Sequence, residues 1–123
     1  MSQAIILKTF FHQLVEVVDQ LVEMFPGDQN FKIFKTFLTM LQRSNPTLVI
    51  STFYEHVTKK YEKQIDARDE EFLTSYEPAE YGSDVTDILA SVRPHWKSLS
   101  QESKGSLWQY IYILKELSKK YYV

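Results

Sequence analysis

Four carboxylates within six residues, Asp66, Asp69, Glu70 and Glu71, are the densest gathering of ionisable side chains at the middle of this chain. Such a cluster suits two kinds of chemistry, cation binding and general acid–base work. For a calcium loop the spacing is wrong, because the Asp-x-Asp-x-Asp-Gly pattern that places oxygens around the ion is missing. For acid–base work the two carboxyls need unlike surroundings that separate their pKa values, and the flanking residues supply no apolar side chains to do this. A solvated acidic face accounts for the cluster without either.

The remaining candidates are sparser. His12 and Glu16 stand four apart on one helical face, yet no second histidine completes a His-Glu-x-x-His or Glu-x-x-His metal motif. Three isolated histidines, no Gly-x-Ser-x-Gly elbow and no glycine-rich phosphate loop leave nucleophilic and phosphoryl-transfer chemistry without a signature. The chain has no cysteine, which removes disulfides, thiolate metal sites and a thiol nucleophile. The expectation is therefore a protein with no catalytic residue, no cofactor and no metal.

Binding is left. Lys59, Lys60 and Lys63 form one cationic group and Lys115, Lys119 and Lys120 a second, with Trp96, Tyr121 and Tyr122 as aromatic faces on which bases stack. Both lysine groups also fall near helix C-termini, where cations complement the dipole without any ligand. Aromatic side chains crowd the last part of the chain, with Tyr110, Tyr112 and Tyr122 as the tyrosines best suited to a protein contact.

The elements that must position these residues read as helices. Leu7, Phe11, Leu14, Val18, Leu21 and Phe25 recur at four- and three-residue steps and predict a helix over 3–25, ended by Pro26-Gly27. Asp28 is placed to cap a second helix over 29–43, with Phe31, Phe34, Phe37, Leu38 and Leu41 on its inner face. Asn45-Pro46 stops that helix and starts a third, running to about Ile65 on Ile50, Phe53, Tyr54, Val57 and Tyr61.

A short helix within 66–75 dips Phe72 and Leu73 into the core. A loop over 76–82 follows, then a short helix capped by Ser83 with Asp84 and Asp87 in its first turn, closed by Arg93-Pro94. Ser100 caps the last helix, whose stripe is Leu107, Trp108, Ile111, Leu114, Leu117 and Tyr121. Tyr110, Tyr112 and Ile113 broaden its apolar surface, so it packs on more than one side.

These elements make an all-α domain, a helical bundle of four main helices with one or two short ones. The chain divides into a helical block over 1–64, an acidic connector over 65–87 and a helical block over 88–123. The connector holds eight carboxylates against one cation, Arg68, within a chain whose net charge is −2. That balance gives no global attraction to nucleic acid. No apolar run approaches the roughly 18 residues of a membrane span, and the first residues lack a secretory n-region.

Four blocks, FFHQLVEVVDQLVEMFPGD, RSNPTLVI, YEKQIDARDEEFL and KGSLWQYIYILKELSKKY, resemble in order and spacing uncharacterised small helical proteins encoded by nucleocytoplasmic large DNA viruses of algae and protists. The resemblance implies a viral protein acting inside the host cell, in cytoplasm or nucleus, or carried in the virion. It brings no activity, cofactor or site residue. The expected function is a non-catalytic protein–protein contact with a host or viral partner, through Asp66, Asp69, Glu70 and Glu71 and through Tyr110, Tyr112 and Tyr122. A homodimer is compatible with the broad apolar face of the last helix. The alternative is a nucleic-acid-associated or packaging factor using Lys59, Lys60 and Lys63.

Overall fold

A computed structural model describes residues 2–76 and 88–122. The described residues are almost all helical, with no strand among them, as the periodicities predict. The helices are α1 (Gln3–Met24), α2 (Gln29–Ser44), α3 (Pro46–Phe53), α4 (Lys59–Asp66), α5 (Glu70–Ser75), α6 (Ile88–Val92) and α7 (Gln101–Tyr121). The expected cap at Ser83, with Asp84 and Asp87, lies outside the described residues.

Local chemistry sets several helix ends. Asp28 accepts from the Asn30 N–H at 2.9 Å and Ser100 from the Ser103 N–H at 3.1 Å, each satisfying a donor that the first turn leaves free. Pro46 opens α3, where its missing N–H would have had no partner. At the end of α4 the Arg68 and Asp69 N–H groups close back on Ile65 and Gln64 at 3.1 and 3.0 Å, with Arg68 left-handed at φ 52°. This is a Schellman turn, and a non-glycine residue there carries strain of about 1–2 kcal/mol.

The third predicted helix is a continuous path from Pro46 to Asp66, but it is not uniform. Tyr54–Thr58 is a π-helical turn in which the Lys59 N–H reaches back five residues to the Tyr54 carbonyl. The extra residue in the turn leaves Val57 and Thr58 buried side by side. A second departure sits at Tyr61 (φ −129°, ψ 20°), whose ring meets Phe72 at 4.8 Å and Tyr76 at 5.9 Å and so seats α5. Tyr76, expected in a loop, is buried there. Arg93-Pro94 does not end the helical path either. It opens a 3-10 segment, Arg93–Ser98, that carries Trp96 fully into the core.

At the centre stands α7. It packs along α1 and also against α3, the π turn and α4, so it is covered on two sides as its wide apolar surface predicts. Phe10, Phe11, Leu14, Val18 and Leu21 from α1 and Leu107, Trp108, Ile111 and Leu114 from α7 form the middle of one continuous core. Each buried side chain of that size contributes on the order of 1.5–3 kcal/mol. By contrast α2 lies outside, against α1 and α3. Its N-terminal turn is tied to the 3-10 segment by His95, which stacks on Phe25 at 4.1 Å and reaches the Asp28 carboxylate at 2.5 Å. The His95 hydrogen bond, with help from the Asn30 N–H, holds the Asp28 carboxyl below the ordinary aspartate range.

Candidate interaction surface

The most concentrated charge chemistry lies where α4 meets α7. The Lys115 side chain is 1 % exposed, and its ammonium stands 2.8 Å from Asp66, 3.6 Å from Glu62 and 2.5 Å from Glu116. It also lies 4.4 Å from the centre of the Tyr112 ring, within cation–π range. Burial alone pushes this ammonium toward losing its proton. The hydrogen bonds to Asp66 and Glu116 outweigh that and hold it charged well beyond the usual lysine range.

Beneath it, Ser118 donates to the Lys115 carbonyl at 2.8 Å, so the Thr58 hydroxyl donates to Ser118 across 2.7 Å. Both hydroxyls are buried. Lys119 pairs with Glu62. The result is a polar seam between the π turn, α4 and α7, and it is satisfied within the chain. Lys115 is thus not a surface cation for phosphate, and Trp96, buried completely, is not a stacking platform.

The acidic candidates are drawn into similar ties. Asp66 belongs to the seam. Asp69 caps α5 by accepting from the Phe72 N–H at 3.2 Å. Glu70 accepts from the Trp96 indole at 2.8 Å and from Lys104 at 2.9 Å, and those two partners, Lys104 first, hold its carboxyl below the ordinary glutamate range. Glu71 stays exposed on α5.

The tyrosines are spread around α7 rather than gathered. Tyr110 donates to Glu16 at 2.7 Å and accepts from Gln20 at 2.9 Å, joining α7 to α1. Tyr112 covers the Lys115 ammonium, and Tyr122 stacks on Tyr54 at 4.6 Å. Only Asp66 and Tyr112 among these candidates come together, around Lys115. Of the lysines named as phosphate contacts, Lys59 pairs with Glu55 at 3.3 Å, while Lys60 and Lys63 have no ion pair among the described residues. His12 and Glu16 form an exposed pair at 3.5 Å, and no group of metal ligands occurs among the described residues. No helix among them is long and apolar enough to cross a membrane.

The surface that sequence periodicity missed is on α2. Phe37, expected on the inner face, points outward with Ile33 and Met40. The three are 37 %, 49 % and 53 % exposed and follow one another at four- and three-residue steps. The inner face is narrower, made by Phe31, Phe34 and Leu38 with Leu41 at its margin. The apolar arc of α2 therefore spans about half its circumference, and α1 and α3 cover only one part of it. Thr36, Thr39, Met40, Arg43 and Ser44 line a shallow groove beside the uncovered stripe. Its signal in the sequence was the pair Ile33 and Met40, which the inner-face pattern leaves unused.

Compared with protein-family models, with curated proteins and with solved structures, the chain matches none of them.

Proposed function

We propose that the protein is a small non-catalytic module that acts by binding another protein, with the outer face of α2 as its contact surface. The observation carrying this reading is the exposed Ile33–Phe37–Met40 stripe. Three large apolar side chains aligned on one helix are more than the scatter of single exposed residues that any surface shows. Phe and Met are also enriched in protein interfaces, and methionine adapts its shape to a partner. Supporting it from the other side, the acidic and tyrosine candidates are largely engaged within the chain.

The resemblance of the four sequence blocks extends the proposal to a viral protein working inside a host cell or in the particle. The nucleic-acid reading retains Lys60, Lys63 and Lys120 as exposed cations without an ion pair among the described residues, but Lys115 and Lys119 are neutralised by carboxylates in the seam.

Affinity capture on the full chain, read by mass spectrometry, tests the proposal. A partner is expected to be retained by wild type and by a Lys60→Ala/Lys63→Ala variant and lost by Ile33→Ser/Met40→Ser. Capture that survives the stripe substitutions would overturn the placement. A salt-sensitive gel shift abolished at Lys60 and Lys63 would favour nucleic acid instead.

A further inference from the structure

We infer that the occupant of the α2 face is an amphipathic helix of a partner protein with acidic residues flanking its apolar stripe; this rests on α2 being the contact surface. Ile33, Phe37 and Met40 are laid out as the ridge of a helix that meets another helix through i, i+4 and i+7 anchors. From Gln29 to Ser44 the helix contains Lys32, Lys35 and Arg43 and no carboxylate.

Lys35 is already paired with Asp19 at 2.6 Å. Lys32 and Arg43 are exposed, without an ion pair among the described residues, and bracket the stripe at its two ends. Arg43 suits the helix C-terminus, whereas Lys32, the fourth residue of α2, lies past the first turn and has no dipole to complement. Lys32 is therefore a cation open to a negative group of the occupant. At about 1.5 Å per residue the two cations are about 16 Å apart along the helix, so the partner carries carboxylates roughly three turns from each other.

A second copy of the chain is disfavoured by the same charges. An antiparallel two-fold α2–α2 contact sets Lys32 of each copy beside Arg43 of the other, and like charges facing across an interface oppose it.

The test uses the full chain and two synthetic helical peptides of about 16 residues, long enough to span both cations. Both carry the same Leu stripe; one has Glu and the other Lys at positions eleven apart on its flank. Binding is followed by fluorescence anisotropy near physiological salt, with circular dichroism to confirm that each variant is folded. The acidic peptide is expected to bind about tenfold or more tighter than the basic one. Lys32→Glu/Arg43→Glu is expected to invert that preference, and Ile33→Ser/Met40→Ser to abolish binding of both.

If the stripe variant loses binding but charge reversal changes nothing, the acidic class is wrong and the α2 surface stands. If the stripe variant binds normally, the surface itself is wrong. Failure of both peptides to bind overturns the helical partner. Stripe-dependent dimerisation, or stripe-dependent binding to phosphatidylserine vesicles without peptide binding, overturns it in favour of a second copy or a membrane surface.

Discussion

The seam around Lys115 and the outer stripe of α2 depart from the usual partition of side chains in opposite ways. One buries a charge and two hydroxyls; the other exposes three large apolar groups. Their difference is in how far the chain satisfies them. Lys115 has three carboxylates and an aromatic face around it, and Thr58, Ser118 and the Lys115 carbonyl close a chain of hydrogen bonds. Such a network holds α4 and α7 in one register. Among the described residues no element covers the α2 stripe, so its exposure is not relieved by them. A network closed within the chain suits architecture, and the uncovered stripe is the surface on which the proposed contact rests.

The comparison breaks first at Lys115. Lys115→Ala leaves Asp66, Glu62 and Glu116 facing each other without their cation. Loss of one partner from a buried ion pair costs roughly 3–5 kcal/mol, and because these carboxylates are 35–46 % exposed a value of about 3 is expected. Urea denaturation measures it, and a change below about 0.5 kcal/mol would place the seam among ordinary surface pairs.

Thr58→Val keeps the shape and removes the donor to Ser118. A loss of about 1 kcal/mol is expected, the usual size for a buried acceptor left unpaired. Glu116 sharpens the picture through pH. Its hydrogen bond to Lys115 holds its carboxyl below the ordinary glutamate range, so its contribution is present above that range and is lost as pH falls through the lowered value. Glu116→Gln is expected to flatten the acid limb of the stability profile below about pH 4 by less than about 1 kcal/mol. A steeper limb would contradict the pairing.

On the other region, Ile33→Ser/Met40→Ser is expected to change stability by no more than about 0.5 kcal/mol, because neither side chain packs in the core. A loss on the scale of Lys115→Ala would mean that the stripe is covered after all.

These two regions were unequally legible in the sequence. Helix class, the caps at Asp28 and Ser100, the Pro46 start and the anchoring of Phe72 and Leu73 rest on local spacing and turn chemistry. The structure follows them closely. Lys115 was hidden because its charge suggested a helix-end cation, although it lies four residues after Ile111 on the buried face. Only the carboxylates brought in by α4 make that position tolerable, and their approach depends on tertiary packing. The π turn has no sequence mark of comparable strength. Phe37 was misplaced for the converse reason. A helix apolar over half its circumference does not say which part its neighbours cover.

The most direct test of the central claim is a methyl NMR titration of the full chain, labelled at isoleucine and methionine, with the acidic helical peptide. The claim predicts saturable shifts at Ile33 and Met40, with Ile65 and Ile111 near the seam unmoved. Shifts centred on Ile65 and Ile111 while Ile33 and Met40 stay still would contradict it.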